Sequence, residues 1–281
     1  MHTPVLLQEA IDGLNVISGG RYIDATFGEG GYSQEILKRG GKVLGIDLDK
    51  NQLTSSRVNE LTGLKLVEGN FADIEKIAKE NDFFPVEGVV FDLGLSMRQL
   101  NESGRGFSYK KFNEPLDMRL SLGLEVKASD LINSLDEEKL YEILAKNSEE
   151  LNSRIISKAV VRARQIRKIK TVEDLIKTID QGLGQSDKRV YQRVFQALRI
   201  EVNQEFNNLK KGLNGALRIL KNEGRIVIIS FHSLEDRIIK NFGKTERIKI
   251  VTKKPIRKSG GRSFEKSAKL RIFLKNYEKL N

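Results

Sequence analysis

The sequence predicts an α/β protein: a mostly parallel, doubly wound sheet interrupted by an all-helical insertion. Three observations carry this. Short apolar runs alternate with helical periods through the amino-terminal third. Strand signals stop between residues 104 and 206, and they return at residues 224–231 and 270–275. Strands alternating with helices mark a parallel sheet with crossover helices, and a return of strand signals after a helical stretch marks an insertion into one sheet domain.

Taken in order, Thr3 as N-cap, Pro4 at the first helical position and Leu7, Ala10, Ile11 and Leu14 on one face predict an opening helix. Strands are expected over residues 21–27, 43–47, 64–67 and 88–93. The insertion, residues 104–206, reads as amphipathic helices over 128–151, 152–169, 172–182 and 188–209. Residues 1–103 and 207–281 then form one discontinuous sheet domain. The basic tract 253–262, with Ser259, Gly260 and Gly261, reads as a loop.

Bulk properties exclude several classes. The 281 residues, with 39% hydrophobic and 31% charged side chains, suit a globular chain with a real core. The longest apolar runs, such as Ile226-Val227-Ile228-Ile229, are far shorter than the roughly 18 residues of a membrane span. The first residues carry no basic stretch ahead of an apolar one, as a secretory leader would, so a cytoplasmic protein without a membrane partner is expected. With no cysteine and only two histidines, neither a disulfide framework nor a metal centre is expected. The formal charge of +11 points to a polyanionic partner, since each Lys or Arg set on a phosphate releases counterions.

Ile23-Asp24-Ala25-Thr26-Phe27 runs into Gly28-Glu29-Gly30-Gly31-Tyr32-Ser33, a glycine turn between strand and helix where backbone can approach a ligand closely. The second strand ends at Asp47, placed to accept ribose hydroxyls. Ser33 stands where a dinucleotide fingerprint wants its third glycine, which argues against a nicotinamide oxidoreductase. An acidic residue inside the first strand, Asp24, instead resembles the first motif of class I (Rossmann-like) methyltransferases, where it helps hold the methionine end of S-adenosyl-L-methionine. Phe71, after the third strand, could lie beside an adenine or simply pack in the core. Asp92 ends the fourth strand, where amino-group methyltransferases keep their acceptor.

Longer motifs narrow this. Asp92-Leu93-Gly94-Leu95-Ser96, Arg105-Gly106-Phe107-Ser108, Pro115-Leu116-Asp117-Met118-Arg119, Phe195-Gln196-Ala197-Leu198-Arg199-Ile200 and Ile229-Ser230-Phe231-His232-Ser233-Leu234-Glu235-Asp236-Arg237 together closely resemble the MraW (RsmH) family, in order along essentially the whole chain. The resemblance implies methylation of the exocyclic N4 amine of a cytidine in small-subunit (16S) ribosomal RNA. It implies cofactor contacts from Gly30, Gly31, Tyr32, Asp47, Phe71, Asp92 and Gln99, alongside Asp24 and Gly28. The chain departs from the family pattern at Tyr32 (usually His), at Met97 and Arg98, at Asn147 and Ser148, and at Arg189 and Val190.

A sulfonium methyl is already activated, so the difficulty lies in the amine, whose lone pair is delocalised into the ring. Acceptors aimed at its hydrogens would help, and Asp92 and Ser96 are the first candidates, with His232 at the exit of the next strand. Phe231 or Phe107 could stack on an extruded base. Arg105, Arg119 and Arg199 lie in the shared motifs as candidate phosphate contacts. The basic stretch with Lys158, Arg162, Arg164, Arg167 and Lys168 reads as an amphipathic helix facing RNA, and Lys253, Lys254, Arg257, Lys258 and Arg262 as a second basic tract. The expected partner is small-subunit rRNA or the assembled subunit, and a homodimer is compatible with this. Rival readings are a methyltransferase acting on another RNA or DNA amine and a non-catalytic RNA-binding assembly factor. A proline-proline-aromatic element, typical of DNA cytosine-amine enzymes after the fourth strand, is replaced here by Leu93-Gly94-Leu95.

Overall fold

The computed structural model describes residues 4–55, 61–258, 260 and 263–276; Thr3 and Arg262 lie outside them. The chain divides into two compact units, residues 1–94 with 206–281, and residues 95–205.

The first unit begins with α1 (Leu7–Leu14), β1 (Arg21–Asp24), α2 (Gly31–Lys38), β2 (Lys42–Asp47), α3 (Lys50–Ser55), β3 (Leu64–Glu68), α4 (Ile74–Glu80) and β4 (Val86–Asp92). The second unit holds α5 (Met97–Glu102), α6 (Ala128–Ser134), α7 (Glu137–Ser148), α8 (Ser153–Ile166), α9 (Val172–Leu183) and α10 (Lys188–Val202). The first resumes with α11 (Glu205–Ile219), β5 (Leu220–Ser230), α12 (Ser233–Phe242), β6 (Ile248–Ile250), α13 (Ser263–Ser267) and β7 (Lys269–Lys275).

The seven strands form one sheet in the order β3-β2-β1-β4-β5-β7-β6. The first five run parallel, and β7 is antiparallel to both β5 and β6. Successive residues of each strand feed opposite faces, as a period of two requires. Ile23, Leu44, Ile46, Val89, Phe91, Ile226 and Ile228 pack with Ile74, Leu213 and Ile239 of α4, α11 and α12. Tyr22, Val43, Val90, Val227 and Ile229 pack with Ala10, Ile11 and Leu14 of α1 and Ile36 of α2. Both faces are therefore dry, which is why these strands read as near-continuous apolar runs. Reversal at β1–β4 opens a crevice at the carboxyl ends of the strands, where such sheets bind ligands.

Four expectations need correction. The first helix starts at Leu7, not Pro4: Leu6 takes a left-handed backbone (φ 55°), and Val5 and Leu6 are buried in the core instead. The predicted helix 128–151 is two, because Asp136 caps α7 by accepting from Lys139 N–H at 2.8 Å while Leu135 is extended. The predicted helix 188–209 breaks at Asn203. Its amide donates to the carbonyls of Met118 and Arg199, both at 2.8 Å, and its oxygen accepts from Leu120 N–H at 2.7 Å. The helical unit starts at Leu95 rather than residue 104, since Leu95 and Leu100 pack on its core with Leu116, Val160, Leu175 and Leu198. The three-residue β6 carried too little pattern to be read from sequence. Among the described residues no helix is long and apolar enough to cross a membrane.

Candidate active site

Four carboxylates gather where β1, β2, β4 and β5 end. Asp24 closes β1 and is fully buried; its Oδ2 accepts from Ser33 Oγ at 2.7 Å, and its Oδ1 has no partner. Ser33, which counted in the sequence only as a missing glycine, is thus a partner the carboxylate needs. Asp47 closes β2, with Oδ2 accepting from Gly28 N–H and Oδ1 from Asp49 N–H, each at 2.8 Å. Its carboxylate ties the glycine loop to the second strand. Asp92 closes β4; its N–H donates to Thr26 Oγ1 at 2.7 Å, and its Oδ1 is buried without a partner. Glu235, in the first turn of α12, is 4% exposed.

Burial and nearby like charges hold the three aspartates towards their neutral forms. Desolvation raises Asp24 to about 6, against hydrogen bonds from Ser33 and Thr26 and with added repulsion from Asp47. Desolvation likewise raises Asp47 to about 6 despite its backbone donors. Asp92 goes furthest, to about 8: desolvation dominates, Asp24 and Glu235 repel its charge, and the Tyr32 hydroxyl pulls the other way. Two buried, unpartnered carboxylate oxygens are an arrangement that a cation bearing N–H donors would satisfy.

In the loop, Gly28 (φ 52°) and Gly30 (φ 76°) take left-handed backbones, as a tight strand-to-helix turn demands. Gly31 serves packing instead: a Cβ there would lie 2.3 Å from Pro4 Cγ. Tyr32 is buried, and its hydroxyl donates to the Val5 carbonyl at 2.7 Å while facing Asp92. Phe71 packs edge-on against Phe91, with centroids 5.7 Å apart, and against Gly212 on α11. Phe231 is half-buried at the end of β5, its ring 3.5 Å from a Cβ built at Gly94. His232 caps α12: Nδ1 accepts from Glu235 N–H at 3.4 Å, Nε2 lies 3.1 Å from Glu235 Oε1, and the ring packs on Phe206. Sequence reasoning missed Ser33, Thr26 and Glu235. Only Glu235 carried a signal, three residues after His232 at capping-box spacing.

The candidates in the helical unit are mostly engaged by that unit itself. Ser96 Oγ accepts from Gln99 N–H at 3.1 Å and Gln99 Oε1 from Ser96 N–H at 3.0 Å, a reciprocal cap on α5. Arg119 grips Asp117 through two nitrogens, at 2.7 and 2.9 Å, and donates to the Leu124 carbonyl at 2.6 Å. Arg105 donates to the carbonyls of Arg119 and Leu120, at 2.8 and 2.9 Å. Arg199 pairs bidentately with Glu205 at 2.8 and 3.0 Å. Arg164 donates to the Ile132 carbonyl at 2.7 Å, tying α8 to α6. These arginines organise loops and helix ends within the unit. Arg162, Lys158, Arg167 and Lys168 remain exposed.

An open sheet with this strand order, a reversed β7, a glycine loop after β1 and acidic residues ending β1, β2 and β4 defines a class I S-adenosylmethionine-dependent methyltransferase. Within that class, the chain belongs to the MraW methylase family, whose model it matches over residues 1–276. It is 39% identical to the ribosomal RNA small subunit methyltransferase H of Clostridium botulinum (strain Kyoto / Type A2), across 96% of this chain and 97% of that one. It is 42% identical to the enzyme of the same name from Dehalococcoides mccartyi, across 87% of this chain and 71% of that one. Among solved structures it is similar to an rRNA methylase from Streptococcus thermophilus, at 10% identity and a TM-score of 0.47 over 98% of this chain and 99% of that one.

Proposed function

We propose that the rRNA methylation of this family is directed, in this chain, at the exocyclic N4 amine of a cytidine in small-subunit ribosomal RNA, with Asp92 receiving the amine's hydrogens. The observation that carries the reading is Asp92 itself, a carboxylate at the exit of β4 with a buried, unpartnered Oδ1 among other acids. The relatives' names supply the RNA.

S-adenosylmethionine supplies an activated methyl on a sulfonium and leaves as a neutral thioether. Its net positive charge suits the acidic edge, so the residues present fit it. Asp24 Oδ1 would take the ammonium, the Asp47 carboxylate the ribose hydroxyls through its remaining lone pairs, and the Gly28–Gly30 turn would admit the ligand to the backbone. Phe71 would bound the adenine on the side away from Phe91. Asp92, once ionised, accepts a hydrogen bond from the amine, aligns the nitrogen lone pair with the methyl and holds the proton the product sheds. Phe231 offers a ring for the extruded cytosine, which must leave its stack to be reached. His232 and Ser96 act on the backbone they cap. Lys158 and Arg162 on the exposed face of α8 bind phosphates, making the helical unit the RNA-recognition part.

The test is transfer of labelled methyl from S-adenosylmethionine to small ribosomal subunits and to naked rRNA, with nucleoside analysis and Asp92→Ala as control. N4-methylcytidine that disappears in the variant is the expected result. Transfer yielding a different methylated nucleoside, or none to either acceptor despite cofactor binding, would overturn it.

A further inference from the structure

Asp24 is fully buried, yet the protein itself engages only one of its two oxygens. Oδ2 accepts from Ser33 Oγ at 2.7 Å, and Oδ1 has no hydrogen-bond partner. Ser33 is as completely buried as the acid it faces. A serine hydroxyl carries one proton, and a serine inside a helix commonly gives it to the carbonyl one turn back. Here that proton is committed to the carboxylate instead.

The backbones that carry the pair are held on both sides. Asp24 lies in β1 between β2 and β4, opposite Gly45 and Val90. Just beyond it, Ala25 and Phe27 N–H donate to the carbonyls of Val90 and Ile46, each at 2.9 Å. On α2, the two residues before Ser33 are fixed by the segment ahead of α1. Gly31 sits so close to Pro4 that it admits no side chain, and the Tyr32 hydroxyl donates to the Val5 carbonyl at 2.7 Å. With both backbones fixed, the remaining freedom is rotation of the carboxyl about its last torsion, which is soft in aspartate. The Ser33 hydrogen bond restrains that torsion. We propose that Ser33 is a positioning residue for the methionine end of the cofactor: its hydroxyl fixes the Asp24 carboxyl with Oδ1 left open for an ammonium, and so sets a preference for nucleosides that carry an amino-acid chain. This rests on the role given to Asp24 above. A serine that merely satisfied a buried acid would serve stability alone, and its loss would weaken every ligand of the site alike. A positioning serine acts selectively.

The experiment reads binding without RNA, so its outcome is separable from the identity of the methylated base. Calorimetric titration at pH 8, where a carboxyl raised to about 6 is ionised, compares two probes: S-adenosylhomocysteine, which carries the amino-acid chain, and 5′-methylthioadenosine, which lacks it. The proteins are the wild type, Ser33→Ala, Ser33→Cys and Asp24→Asn. Ser33→Ala is expected to weaken S-adenosylhomocysteine roughly tenfold, as loss of a hydrogen bond to a charged group implies, and to leave 5′-methylthioadenosine unchanged. Ser33→Cys, close in shape but a weaker donor, should fall between. Equal weakening of both probes by Ser33→Ala, or of neither, would overturn the proposal. Asp24→Asn tells which claim has failed. If it abolishes the preference while Ser33→Ala keeps it, only the role of Ser33 falls; if it too keeps the preference, the assignment of Asp24 falls and the proposal with it. Should Ser33→Ala not fold, Ser33→Cys decides by the same comparison.

Discussion

The carboxyl edge of the sheet and the helical unit handle charge in opposite ways. At the edge, Asp24 and Asp92 each keep a buried oxygen with no partner, and Asp24, Asp47 and Asp92 are all held well above the ordinary carboxylate range. In the helical unit, Arg105, Arg119, Arg164 and Arg199 are committed to carbonyls and carboxylates of that same unit. The difference separates chemistry from architecture. A buried polar atom left unsatisfied costs stability and persists where a ligand repays it, whereas a satisfied one explains itself.

The sharpest way to break this contrast is Asp92→Asn. Methyl transfer should fall by about 10³-fold, while the fold gains stability. The folded carboxyl binds its proton up to about 8 rather than 3.8, so the folded state holds more protons than the unfolded one across that window. Stability is then fully present below the lower value and declines as pH rises towards the upper one. Thermal melts should show the variant more stable than wild type by a margin larger at pH 8 than at pH 5. A variant less stable at both pH values would mean that Asp92 is structural.

Arg119→Ala should do the reverse. Losing a bidentate pair and the carbonyl contacts is expected to cost about 2–4 kcal/mol in urea unfolding. Any loss of RNA affinity should then track the unfolded fraction. Unchanged stability with weakened RNA binding would return this residue to the phosphate-contacting set. Smallest is Arg162→Ala on α8: stability should shift by less than about 0.5 kcal/mol, and the slope of log affinity against log salt should fall by about 1. An unaltered slope would move the RNA surface elsewhere.

Much of the fold was legible because dry-faced strands and glycine turns leave strong local patterns. The presence of β1 to β5, the loop at Gly28 and Gly30, and the acids at Asp24, Asp47 and Asp92 follow from them, although β1 stops at Asp24 rather than Phe27 and β5 begins at Leu220 rather than Gly224. What stayed hidden was which polar atoms the fold itself would use. Ser96 and Gln99 also cap α5, His232 also caps α12, and Arg119 also holds Asp117. Each assignment depends on a partner fixed by loop geometry, which side-chain type does not encode. Ser33 was passed over for the same reason, as its importance lies in its hydrogen bond to the buried Asp24 carboxylate.

The most direct test of the acidic edge as the cofactor site is calorimetric titration of the protein with S-adenosylmethionine at pH 7 in buffers of different ionisation enthalpy. A cation settling among carboxyls raised to about 6 and about 8 must expel protons, so the apparent enthalpy should vary with buffer, showing net proton release that Asp92→Asn diminishes. Binding with no proton release in the wild type would contradict the account.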